Sequence, residues 1–296
     1  MLDTNRLSDN EIYISGMLNE LEIIEGVSSA GKEYVRGTAS IRVDQEINGV
    51  VTENIIPVRL FSMRKKTDGS LNKIYDRIID YKENLISVAA ADDESKASRV
   101  TISLGKIEEN AWYDARTNIV RSGFQISTNF INEARKGDPE KATFELSGVV
   151  GKMRPETNKD GEETGRIIVD FIVITWGGKA NKIELIAQGS AADFITTNWQ
   201  AQDTVKVTGR INMSYKVETW MEEQGFGEPI ERTRTVSKKE LIITGGSPCG
   251  LEEALSYDAD SIKQALARRK EEQDNLANTN SNTKSSTKNK PVDFGF

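Results

Sequence analysis

The run Asp-Thr-Val-Lys-Val-Thr-Gly-Arg-Ile at 203–211 constrains the fold more than any other stretch of the chain. Val205 and Val207 alternate with Lys206 and Thr208, the period-2 pattern of a strand buried on one face. Gly209 interrupts it, as a bulge or sharp bend does, and Ile211 resumes the apolar face. A β-branched alternation bent by a single glycine suits a strand curling around a small barrel. The same cadence occurs earlier, at 100–107, where Gly105-Lys106-Ile107 reads against Gly209-Arg210-Ile211. A second correspondence lies further upstream in each half. Ser147-Gly148, inside Phe-Glu-Leu-Ser-Gly-Val-Val, falls on Ser15-Gly16 inside Ile-Tyr-Ile-Ser-Gly-Met-Leu.

The elements around these runs repeat in the same order. Apolar alternation predicts strands over 11–24, 34–47 and 50–61, with the dipeptide Asn48-Gly49 as a two-residue hairpin turn between the last two. Pro57 places an edge or a bulge in the third strand, because proline has no N–H to give to a ladder. Leu71, Ile74, Tyr75, Ile78 and Ile79 recur at helical spacing and predict a helix over 71–85. Strands over 100–113 and 118–128 complete the set. Strand, strand, strand, helix, strand, strand is the order of an OB-fold, a five-stranded Greek-key barrel. After the polar connector around Gly137-Asp-Pro139 the order restarts. Strands are read at 144–150, 165–176 and 182–187, a short helix at 191–199, and a closing pair at 203–215 and 231–244. The expected architecture is therefore mainly β. It has an OB-like five-stranded barrel over 1–137, a second over 138–246, a C-terminal helical segment over 247–277 and a disordered tail over 278–296.

Composition narrows what such a chain can do. There is no histidine, so a Ser-His-Asp triad, a Cys-His pair and a histidine zinc site cannot form within it. Metal binding would fall to carboxylates and carbonyls. The single cysteine, Cys249, rules out an intrachain disulfide and fits a reducing cytoplasm. No apolar run is long enough for a membrane span, and the start of the chain lacks the basic-then-apolar pattern of a signal peptide. No phosphate-binding glycine motif is present, and the pairs Glu108-Glu109, Glu162-Glu163 and Glu222-Glu223 are adjacent in strands or turns. Neighbours in a strand point to opposite faces, so these pairs do not converge on one substrate. The reading is of a protein without an active site or cofactor. A net charge of −7 argues against coating a duplex by bulk charge, but leaves room for a local basic groove.

The tail is unusual. A polar run of Asn, Ser, Thr and Lys over 278–290 ends in Pro-Val-Asp-Phe-Gly-Phe. Asp293, Phe294 and Phe296 together suit a basic-rimmed apolar pocket on a partner, the alternative being that the two rings tuck onto the protein's own surface. In plan the chain resembles bacterial single-stranded DNA-binding proteins, and phage versions of them most of all: an OB-fold, a low-complexity linker and a short acidic-aromatic tip ending in phenylalanine. It departs from them in having one aspartate at the tip, with Lys288 and Lys290 upstream, and in a second barrel. The resemblance implies binding of single strands during replication or recombination in the cytoplasm, with the tip recruiting replication and repair enzymes.

Binding single strands without sequence preference needs cations for phosphates and flat rings for bases. OB-folds commonly present these on strands two and three and in the loop between strands four and five. In the first unit the candidates are Arg36, Arg42, Arg59, Phe61, Arg64, Lys65, Lys66, Trp112, Tyr113 and Arg116. In the second they are Lys152, Arg154, Arg166, Trp176, Lys179, Lys182, Arg210, Tyr215, Lys216 and Trp220. Phe171 reads as core, Trp176 fits either a core or a stacking position, and Trp199 is a further core candidate. A structural or adaptor β-barrel protein of a phage particle, with the tail as an assembly peptide, is the competing expectation.

Overall fold

Alternating burial governs most of the chain. The computed structural model describes residues 3–47, 49–223, 226 and 229–286, with backbone alone at 47, 216–218 and 279–286. In order, the elements are β1 (Asn10–Val27), β2 (Glu33–Ile47), β3 (Val50–Met63), α1 (Lys73–Asn84), β4 (Arg99–Asp114), β5 (Ile119–Thr128), β6 (Asn132–Glu133) and β7 (Lys141–Thr157). Then follow β8 (Glu163–Thr175), β9 (Lys179–Ala187), α2 (Ser190–Asn198), β10 (Thr204–Asn212), β11 (Tyr215–Glu222), β12 (Ile230–Ser237), β13 (Glu240–Gly246) and α3 (Ala259–Ser286). The protein is mainly β.

Strand pairing closes two rings. In the first, β1 pairs with β2, β2 with β3, β3 with β5 in parallel, β5 with β4, and β4 with β1. The inward residues Ile14, Leu18, Ile41, Ile56, Leu60, Ile102, Ile107 and Ile126 are fully or almost fully buried. Each such side chain contributes on the order of 1.5–3 kcal/mol by leaving water. Pro57 lies in a gap on its strand. The second edge of β3 meets Ser214 at Asn54 and β5 only from Val58 onward, so no ladder bond is lost at the proline. Helix α1 starts where the Asn72 side chain accepts the Ile74 N–H at 3.2 Å, and buries Tyr75, Ile78 and Tyr81. Tyr81 is fastened at its polar end. Its hydroxyl donates to the Asn129 carbonyl at 3.2 Å and accepts from the Ile131 N–H at 2.9 Å.

The second ring runs β7, β8, β9, then β13 in parallel to β9, then β10, which returns to β7. Helix α2 occupies the place in this order that α1 has in the first ring, and buries Ala192 and Ile195. β11 and β12 form a separate two-stranded arm between β10 and β13. The rings join through antiparallel pairing of β1 with β7, from Asn10 opposite Leu146 to Ser15 opposite Lys141. Residues buried in the two rings form one cluster across this join.

The glycines singled out in the sequence sit at that join. β10 shifts register between Thr208 and Gly209. A Cβ at Gly209 would stand 2.3 Å from the Phe144 ring and 2.3 Å from the Ile242 carbonyl oxygen, and one at Gly105 would stand 2.4 Å from the end of the Ile12 side chain. Both glycines make room for a residue of one of the two strands that join the rings. Gly209→Ala is expected to destabilise the protein by about 2–3 kcal/mol, since a ring and a backbone carbonyl must both move. Gly105→Ala should cost less, because the tip of Ile12 can rotate away. Urea unfolding of the two variants checks the order, and an equal or reversed cost would refute it.

The C-terminal helix, α3, packs on the second ring. It begins at Ala259, preceded by a short 3-10 turn, and runs on through Ser286, past residue 277. The Asn/Ser/Thr residues there are weak helix formers, yet the run contains neither glycine nor proline until Pro291. Ile262, Ala265 and Leu266 pack with Tyr257 against Val149, Ile172, Ile174 and Ala180, on the outer face of β7, β8 and β9. Asp293, Phe294 and Phe296 lie outside the described residues. No helix among the described residues is long and apolar enough to cross a membrane.

Candidate nucleic-acid interface

Inward alternation on one side of a strand fixes what faces outward. With Val35, Ala39, Val58 and Leu60 buried, Arg36, Thr38, Arg59 and Phe61 turn to the outside of the first ring. Pairing sets them in rows. Ile24, Arg36 and Phe61 lie side by side across β1, β2 and β3. Glu22, Thr38, Arg59, Ser127 and Lys106 form the next row, across β1, β2, β3, β5 and β4. A groove of about 830 Å³ runs over these rows.

The groove combines exposed apolar groups with uncompensated positive charge. Phe61 is 54% exposed and Leu104 66%. The Tyr34 ring stands 6.0 Å from Phe61, tilted by 31°. Phe130 lies at one end, with the Arg77 guanidinium 5.3 Å from its ring centre. Arg36, Arg59 and Lys106 make no ion pair among the described residues, although Glu22 and Glu108 line the same groove. Glu108 instead accepts the Ser127 hydroxyl at 2.9 Å. Lys239, just before β13, is not among the residues that line the groove; its ammonium stands 4.7 Å from the Phe124 ring centre. Desolvation first, then the positive charge of Arg59, holds its pKa below the ordinary lysine value. Such a surface suits a ligand that brings negative charge and flat apolar groups together.

Of the residues expected from the sequence, Arg36, Arg59 and Phe61 come together in this groove. Arg42 is tied to Glu94, and Arg64 to Glu33 at 2.9 Å. Lys65 and Lys66 are exposed in the loop before α1. Trp112, Tyr113 and Arg116 belong to the far end of the β4–β5 hairpin. Trp112 there is partly exposed opposite Arg121, and the Tyr113 hydroxyl donates to Asn118 at 3.0 Å.

In the second ring most of the expected cations are engaged internally. Arg154 and Lys182 both hold Asp170, at 2.8 and 2.7 Å, and Arg154 also holds Glu184. Burial pushes the Asp170 carboxyl upward, yet these two partners outweigh it and keep its pKa below the usual aspartate value. Arg166 lies between Glu240 at 2.8 Å and Glu156 at 3.3 Å, and Lys179 reaches Glu272 on α3 at 2.8 Å. Lys152 is exposed and Arg210 half-buried. Trp176 occupies the β8–β9 turn, 84% exposed, while Trp199 is buried with its ring N–H donating to the Ser247 carbonyl at 3.0 Å, and Phe171 is core. Tyr215 and Trp220 are exposed on the β11–β12 arm, where Trp220 lies opposite Arg232. The side chain of Lys216 lies outside the described set.

Sequence reasoning passed over Ile24, Leu104, Lys106 and Phe130, which line the groove; Arg232, opposite Trp220, is held by Glu222 at 2.6 Å. Leu104 had a signal of a kind. In a regular strand it would share the inward face of Ile102, but β4 carries one extra residue where Ile12 and Ile14 face Gly105 and Ile102, and Leu104 turns outward.

The model of the YorF family matches residues 8–279. The chain belongs to the YorF family. No curated protein matches its sequence. Among solved structures, the wild-type single-stranded DNA binding protein from Thermus aquaticus is similar to this YorF-family chain with a TM-score of 0.51 and 12% identity, over 85% of this chain and 98% of that one. A deletion mutant of the same protein, with an arginine-to-alanine substitution, gives a TM-score of 0.49 and 14% identity over 83% and 97%. At 12% identity the wild-type likeness is one of fold: a mainly β chain built like that protein.

Proposed function

We propose that the chain binds single-stranded DNA without sequence preference, through the groove on the first ring. The observation that carries this reading is the gathering of unpaired Arg36, Arg59 and Lys106 beside exposed Phe61 and Leu104 in one groove. Cations for the backbone and apolar faces for the bases are what a single strand requires. The fold likeness to a protein described as single-stranded DNA binding points the same way. The β11–β12 arm, with its exposed Trp220 ring, extends the contact. In this reading 1–137 and 138–246 are two OB-type units, 247–277 is a strap, and the tail over 278–296 recruits partners through Asp293, Phe294 and Phe296. The role is protection of single strands in phage replication or recombination, within a bacterial cytoplasm and without catalysis.

Anisotropy of labelled oligo-dT, titrated at two salt concentrations, tests the reading. Saturable binding that weakens steeply with salt is expected. Its absence at low salt would sink the reading and favour the assembly role in a particle. Phe61→Ala is expected to weaken binding about 5- to 150-fold, the loss of about 1–3 kcal/mol for one stacked base, with little change in the unfolding midpoint because the ring is already half in water. Deleting residues 291–296 should leave oligo-dT affinity unchanged and remove capture of replication proteins.

A further inference from the structure

The two rings can be superposed in register through their own pairing, and their outer faces then differ residue by residue. Gly16 approaches the Arg42 carbonyl as Gly148 approaches that of Ile172, and Gly105 corresponds to Gly209. The parallel closure is Arg59 with Ser127 in one ring and Ile186 with Ile242 in the other. Counting along the strands from these anchors, Arg36 corresponds to Arg166, Ile24 to Glu156, and Gln125 to Glu240. Lys106 corresponds to Arg210.

At the corresponding positions the first ring thus has a guanidinium in no ion pair among the described residues, an isoleucine and a glutamine. At the same place the second has a guanidinium clamped between two carboxylates, at 3.3 and 2.8 Å, with 18% of its side chain exposed. Where Arg59 meets Ser127 in the groove, Ile186 meets Ile242, and both are buried although they lie outside the core cluster. Glu240 is held in turn by the Asn212 amide at 3.0 Å. A phosphate arriving at this face would meet two carboxylates and a cation already satisfied, and a base would find its apolar row covered.

We propose that the chain carries one strand-binding groove, on the first ring, and that the corresponding face of the second ring is sealed by its own side chains. This rests on the reading of the first groove as a single-strand site. Each chain then takes up one short strand, and the second ring serves as the platform on which α3 packs and from which the β11–β12 arm projects.

The test is a stoichiometric titration with an oligo-dT of about 8 nucleotides, within the footprint of one OB-type groove, at low salt. One strand per chain is expected for the unaltered protein, with affinity at least 100-fold weaker in Arg36→Ala/Arg59→Ala, too weak to saturate at the concentrations of this titration, and less than a twofold change in Arg210→Gln. Circular dichroism and unfolding midpoints confirm that both variants fold. Two strands per chain, retention of one strand by the double variant, or a loss in Arg210→Gln as large as in the double variant would overturn the inference while leaving single-strand binding intact. Failure of the unaltered chain to bind any oligo-dT would overturn the functional reading, and this inference with it.

Discussion

Replacing Arg36 and Arg59 together by alanine is expected to weaken oligo-dT binding by at least 100-fold at low salt. Each is exposed, neither is neutralised by a carboxylate among the described residues, and both line the groove that holds Phe61 and Leu104. A hydrogen bond between charged partners is worth about 1.5–3 kcal/mol. Two of them exceed the roughly 2.8 kcal/mol that separates affinities 100-fold apart. The salt dependence supplies a second readout. Each phosphate contact on a single strand contributes about −0.7 to the slope of log affinity against log salt, so the slope should become shallower by about 1.4. A steric or folding defect would lower affinity without that change. Arg42→Ala is the control, because its guanidinium is already committed to Glu94 and the groove does not include it. Equal losses in the control and the double variant would refute the placement of the site.

The element order was legible because alternation survives wherever one face of a strand is buried and the other is wet. The strand at 203–211 appears as β10, Thr204–Asn212, and its glycine marks a register shift. The pair Gly105 and Gly209 was legible for a related reason: each admits a side chain from one of the two strands that join the rings, so a Cβ there is crowded. What could not be read was which arginines were free. Arg36 and Arg166 look alike in sequence, each a cation between strand residues. Glu156 and Glu240, which neutralise Arg166, lie 10 and 74 residues away and reach it only through the closed ring. Leu104 was hidden by a bulge that reverses its face.

Arg269→Met is expected to destabilise the protein by about 2–3 kcal/mol, and the cause lies far from the groove. The Glu109 carboxylate, on β4 of the first ring, has a side chain only 7% exposed. It accepts from Arg269 of α3 through Nε at 2.6 Å and also through Nη2. Gln273 of the same helix donates at 3.2 Å, and the Lys182 N–H of β9, in the second ring, at 3.1 Å. One carboxylate therefore binds both rings and the helix. Removing one partner of a buried ion pair costs about 3–5 kcal/mol when the other is left alone. The cost here is put lower because two neutral donors remain. Removing the carboxylate as well should recover part of the loss, since a charge in need of solvation goes with it. Arg269→Met/Glu109→Leu is accordingly expected to be less destabilised than the sum of its single variants by more than about 1 kcal/mol, a coupling found between groups in direct contact. Urea unfolding of the four proteins measures it. Strict additivity would mean that the pair does not hold the helix across the rings, and amide exchange on β9 would then be unchanged by Arg269→Met. Faster exchange there, with β2 and β3 unaffected, is the expected signature of a strap released at one end.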